Sequence, residues 1–212
     1  MATPSELRQA LADLNVLAAR DLGRIWRALR EGDSAAEALH DILPALIDEY
    51  GQAAATVAAD WYDELRESLG VGGRFVAIPA DVEDTGAHAL IGWALDEATD
   101  DESLVALLEG GMQRRVINFG RFTVMQSSID DPRGDGWQRL GQGSNCPFCD
   151  LLISRGAVYN EQSAVFGAHD NCNCVAVPAF GGQPRLVKKY KPSQRHITPV
   201  ERERIRDWVA TH

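Results

Sequence analysis

Long apolar runs are missing from this chain: none of its 212 residues belongs to the roughly 18 uninterrupted apolar positions that crossing a bilayer requires. A membrane span is not expected. The opening segment MATPSELRQALADL lacks a basic stretch followed by a short apolar core, so no secretory signal is expected and the chain should act in the cytosol of the cell that makes it. Cysteine is scarce, with four residues confined to positions 146–174, which argues against a disulfide framework distributed through the fold. There is no internal repeat and no Gly-x-Ser-x-Gly elbow, the strand-to-helix turn that presents the nucleophile of many serine hydrolases.

What is present is an ordinary globular composition, 45% hydrophobic and 25% charged, long enough for one domain with appendages or for two small ones. The net charge of −10 is unevenly spread. Residues 181–212 carry eight basic side chains against Glu201, Glu203 and Asp207, a surplus of five that leaves −15 on the remainder. An acidic body does not attract nucleic acid, whereas a basic tail can meet DNA or an acidic partner surface, or simply be solvated. Its basic residues are Arg185, Lys188, Lys189, Lys191, Arg195, Arg202, Arg204 and Arg206.

Leu7, Leu11, Leu14, Ala18, Leu22, Ile25 and Leu29 recur at spacings of three and four and predict a first helix over 5–30. Ser34 with Glu37 reads as a capping box opening a second helix through Leu39, Ile42, Leu43, Leu46 and Ile47. Pro44 is expected to kink or split it before the segment Ala53 to Arg66, and Gly70, Gly72 and Gly73 end it. Residues 74–79 are extended, either strand or linker. Helices are expected again over 86–98 and 101–129, the latter with Gly110-Gly111 as a weak point.

The Pro/Gly/Asp-rich segment 130–136 marks a boundary. The expected organisation is a helical array over 1–130, a small α+β unit over 137–180 with strands at Trp137 to Leu140 and Val175 to Pro178, and a basic linker with a C-terminal helix over 181–212. The fold class is therefore mainly α with a treble-clef-like zinc knuckle near the C-terminus.

That knuckle is read from Cys146-Pro147-Phe148-Cys149, followed after nineteen residues by His169-Asp170-Asn171-Cys172-Asn173-Cys174. Zinc takes about four N or S donors in a tetrahedron, and a Cys-x-x-Cys turn places two thiolates on one side of it. Cys146, Cys149, His169, Cys172 and Cys174 thus compete for four places, with the fourth ligand open between Cys172 and Cys174 and His169 replaceable if both bind. A disulfide pair is disfavoured in a reducing compartment. A redox Cys-x-x-Cys belongs at the first strand-to-helix junction of a βαβ unit, and here a helical array precedes it. With donors to spare, the site reads as structural rather than catalytic. Leu151, Leu152 and Ile153 continue a short helix that Gly156 ends in a left-handed conformation.

Assembled, these residues resemble the C-terminal signature of the phage Mu F-like minor head proteins over roughly residues 137–180. The strings Ser154-Arg155-Gly156-Ala157-Val158-Tyr159 and Phe166-Gly167-Ala168-His169, with Trp61-Tyr62-Asp63 and Arg121-Phe122-Thr123-Val124 further upstream, are similar to the variant in tailed phages of actinobacteria. The resemblance implies a virion component inside the capsid or at the portal vertex, made in the host cytoplasm. Its partners would be the portal protein or major capsid protein, with packaged DNA as a further contact of the basic tail. Such proteins are often labelled capsid maturation proteases, and treble-clef knuckles also frame nuclease sites, so an enzymatic role is the alternative. Ser144, Ser154 and Ser163 cannot form a triad with His169 if that histidine holds zinc, and His40 and His88 fall on predicted helices.

Overall fold

A computed structural model describes residues 2–32, 34–141, 145–160 and 166–181, together with 198, 200, 203 and 204. Of the basic tail residues only Arg204 is among them; the remaining seven, most of the helix expected over 199–210, Ser144 and Ser163 lie outside the described residues. The protein is mainly helical, as its periodicity predicts. In chain order it comprises α1 (Pro4–Leu29), α2 (Ala35–Ser68), α3 (Ala87–Glu97), α4 (Asp101–Asp130), β1 (Trp137–Leu140), α5 (Pro147–Ile153) and β2 (Val175–Pro178). No helix of the described residues is long and apolar enough to cross a membrane.

Thr3 opens α1 with a capping box in which its hydroxyl accepts from the Glu6 amide and the Glu6 carboxylate accepts from the Thr3 amide. The helix buries Leu7, Leu11, Ala18, Leu22 and Trp26. The box expected at Ser34 does not form. Ser34 has ψ 19 rather than an extended backbone, and its side chain makes no capping hydrogen bond. Nor does Pro44 split α2, which runs unbroken from Ala35 to Ser68. A proline inside a helix costs about 3 kcal/mol, and Leu39, Leu43 and Ile47, all buried around it, offset that penalty by packing into the core.

Helix α4 is the centre of the molecule. The sequence stripe marks one apolar face, yet burial extends around the helix to Gln113, Ile117, Gly120, Arg121, Thr123 and Ser128. Helices α1, α2 and α3 and strand β2 all pack against it. Close approach of α2 to α4 depends on small residues: a Cβ on Gly51 would lie 2.6 Å from the Phe119 ring, and Ala54, Ala55 and Ala58 continue that face fully buried. Gly110-Gly111, expected as a weak point, instead lies inside a continuous helix where neighbours press against it.

The segment after α2 pairs with no strand among the described residues. Two of its amides are satisfied by side chains, Ala77 donating to Asp63 and Ala80 to Thr123. Buried Arg66 donates to the carbonyls of Val71, Gly72 and Gly73 and to Asp131 at 2.8 Å, tying this strap to the end of α4. Strands β1 and β2 pair antiparallel, with Trp137 opposite Pro178 and Leu140 opposite Val175. Trp137 stacks on Tyr159 and Phe166, so the small unit carries its own aromatic layer.

Candidate metal centre

The Cys-x-x-Cys turn is built by α5. Cys146 occupies its N-cap with extended backbone, Pro147 follows in the first turn, and the Cys146 sulfur accepts from the Cys149 amide at 3.4 Å. Cys149 therefore lies one turn on with its sulfur beside that of Cys146, and it is buried. Gly156 has φ +69, the left-handed conformation expected after the helix.

The second set of donors sits on a loop pressed against α4. Asn171 takes φ 61, a conformation that asparagine tolerates better than most residues, and its amide packs where a Cβ on Gly110 would lie, at 3.2 Å. Gln113 donates to the Asn173 side chain at 2.7 Å, and Arg114 pairs with Asp170 at 3.2 Å. Arg121 donates to the carbonyls of Cys174 (2.9 Å) and Cys172 (2.6 Å). One helix thus fixes the loop at five successive residues, from Asp170 to Cys174.

All five candidate donors converge. Cys146, Cys149, His169, Cys172 and Cys174, with Asn145, Asn171 and Asn173, line one cavity of about 80 Å³. Two triplets, Cys146/Cys149/His169 and Cys149/Cys172/Cys174, each have their donor atoms within 4.8 Å of one another, and Cys149 belongs to both. The Cys149 and Cys172 sulfurs are 3.8 Å apart. A tetrahedral zinc with bonds of about 2.3 Å to sulfur has S–S edges of about 3.8 Å. His169 Nε2 is 3.0 Å from the Cys146 sulfur and 3.7 Å from that of Cys149. Its Nδ1 lies 2.7 Å from the Asp170 carbonyl, and that bond fixes the proton on Nδ1 and leaves the Nε2 lone pair facing the sulfurs. The cluster could hold a metal ion, and its soft sulfur and imidazole donors suit zinc.

The electrostatics agree. The Cys174 thiol hydrogen-bonded to Cys172 pulls the Cys172 thiol down to about 4, with Arg121 adding to the effect. Burial pushes Cys149 up to about 11, and the hydrogen bond to Cys172 holds Cys174 well above the ordinary thiol range. Burial opposes ionisation of Cys146 too, but the Cys149 amide and the hydrogen bonds to Cys149 and His169 outweigh it and lower its value. The Asp170 carbonyl raises His169. Sulfurs this crowded do not all ionise together unless a cation stands among them.

Several neighbours of the site escape a sequence reading that follows only the donors: Gln113, Arg121, Arg139, Phe166, Asn171 and Asn173 surround the cluster. Gln113 and Arg121 carry no signal of burial, since both fall on the side of α4 away from the stripe of Leu104, Leu108, Met112, Val116 and Phe119, where a polar side chain reads as solvated. Of the other residues weighed for catalysis, Ser154 donates to the Leu151 carbonyl in the turn after α5. His40 and His88 stack on each other with their Nδ1 atoms 3.1 Å apart, bridging α2 and α3.

No curated protein and no solved structure matches the chain. The profile of a family described as VG15 protein matches residues 2–196, and the chain belongs to that family of phage proteins.

Proposed function

We propose that this phage protein is a minor head component of the Mu F-like type. In this role the helical array docks on the portal or on a capsid subunit, and a structural zinc ion locks the C-terminal unit. The convergence of five nitrogen and sulfur donors in one small cavity against α4 carries the zinc assignment. A catalytic zinc keeps one position open, whereas this cluster has a donor in reserve. Cys146, Cys149, His169 and Cys172 supply the four bonds, with Cys174 as the reserve. Among the described residues, the unit from β1 to β2 has only a seven-residue helix and two four-residue strands, and a metal staple suits a region with so little regular structure.

The head-assembly role rests on the Mu F-like signature together with the phage family. The basic tail, from Arg185 to Arg206, would supply contacts to packaged DNA. Zinc is expected at one equivalent per purified chain, and the protein is expected to co-purify with its cognate portal or major capsid protein. A metal-free preparation from zinc-supplemented cells would remove the staple, and absence of both associations would remove the head role. Cleavage of scaffold-bearing procapsids or of duplex DNA, lost on one Ser or His substitution, would replace the structural role with an enzymatic one.

A further inference from the structure

Two guanidinium groups lie in the interior beside the cysteine cluster, Arg121 with 1% and Arg139 with 2% of its surface exposed. Neither forms a salt bridge with a carboxylate among the described residues. Arg121 donates to the carbonyls of Cys172 and Cys174 and to the Asn118 side-chain oxygen, all neutral acceptors. Arg139 donates to the Gly167 carbonyl and, at 3.8 Å, to the Cys149 sulfur. Both also rest against one aromatic ring, with their guanidinium carbons 4.9 Å and 3.7 Å from the Phe166 centroid.

Two buried cations sharing one ring repel each other. Burying an uncompensated charge is costly, and the ring quadrupole returns only part of that cost. An anion is therefore called for, and among the described residues the cluster offers one in the Cys149 sulfur, within reach of Arg139. A zinc ion bound by three thiolates and an imidazole carries −1, and one bound by four thiolates carries −2.

We propose that Arg121 and Arg139 are the built-in counter-charge of an anionic metal–thiolate centre, Arg139 through its N–H to the Cys149 sulfur and Arg121 through its clamp on the Cys172–Cys174 loop. This inference rests on the zinc site proposed above. It assigns the two arginines a function in metal retention that carbonyl binding alone would not require. Neutral side chains at these positions would leave the thiolate charge buried and unbalanced, and the metal would be held less tightly.

The test compares zinc affinity of the full chain, measured by competition with a chromogenic chelator, in the wild type, Arg139→Met and Arg139→Lys. Arg139→Met is expected to weaken zinc binding by roughly tenfold to a hundredfold, the usual range for a group supporting a ligand, and Arg139→Lys to recover most of that loss because it keeps the charge. The stabilisation that zinc confers in thermal unfolding should shrink in parallel. A packing role predicts otherwise: metal-free and zinc-loaded forms would be destabilised equally, with affinity unchanged. That result, or a Lys variant as weak as the Met variant, overturns the counter-charge. If the wild type binds no zinc, the site itself is overturned with it. Should Arg139→Met not fold, Arg121→Gln against Arg121→Lys gives the same comparison at the second guanidinium.

Discussion

Cys149 is the donor that the others cannot replace. It alone belongs to both triplets, its sulfur stands 3.8 Å from Cys172 and 3.7 Å from His169 Nε2, and it receives the Arg139 N–H. Cys172 and Cys174 share the second triplet, and the proposed ligand set takes Cys172, 3.8 Å from Cys149, and leaves Cys174 in reserve. Substitution Cys149→Ser should therefore reduce bound zinc to background, while Cys174→Ser should retain close to one equivalent per chain. Metal analysis of the purified variants checks both, and full zinc in Cys149→Ser would mean that the donors are arranged differently from the structure. The donors themselves are legible in the sequence, because a Cys-x-x-Cys turn and a His-x-x-Cys-x-Cys cluster announce their chemistry by spacing alone. Arg121 and Arg139 do not announce theirs. A lone arginine reads as solvated surface until the fold brings it against a sulfur or a carbonyl, and only tertiary structure does that.

At the scale of elements, α1 to α4 stand where the sequence predicts helices, and the mismatches have local causes. Ser34 carries the residue types of a capping box without the backbone angle, whereas Thr3 and Asp100 have both. Pro44 and Gly110-Gly111 interrupt local propensity, but burial on several sides holds their helices together. Gly51 in α2 and Gly23 in α1 separate these effects. Glycine in a helix interior costs about 0.5–1 kcal/mol relative to alanine, so Gly23→Ala, where nothing lies within 4 Å, should stabilise by about that amount. At Gly51 the new methyl would meet the Phe119 ring at 2.6 Å, and Phe119 is itself fully packed. Overpacking there costs about 1–3 kcal/mol, which exceeds the propensity gain. Gly51→Ala should lower the urea midpoint while Gly23→Ala raises it, and equal shifts would show that α2 and α4 do not approach as closely as described.

At the scale of the whole molecule, the proposed zinc would tie the small unit to the helices. Leu7, Leu11, Leu22, Leu39, Leu43, Ile47, Val116, Phe119 and Val124 pack together from the helices, and the same continuous core takes in Cys149, Cys172 and Cys174 from the small unit. The loop from Asp170 to Cys174 is tied to α4 by hydrogen bonds and an ion pair, and its two cysteines enter that core as candidate metal donors. Stripping zinc with a strong chelator should consequently loosen one part of the molecule and spare the other. Amide hydrogen exchange is expected to rise sharply over 145–160 and 166–174 and to stay slow in α1, α2 and the second half of α4, while the helical circular dichroism signal changes little. The boundary should fall within α4, since Gln113 and Arg121 would lose partners on the loop while Phe119 and Val124 keep theirs in the helical core. Global acceleration of exchange on chelation would show instead that the metal supports the entire fold, and unchanged exchange over 145–174 would show that the cluster holds its shape without it.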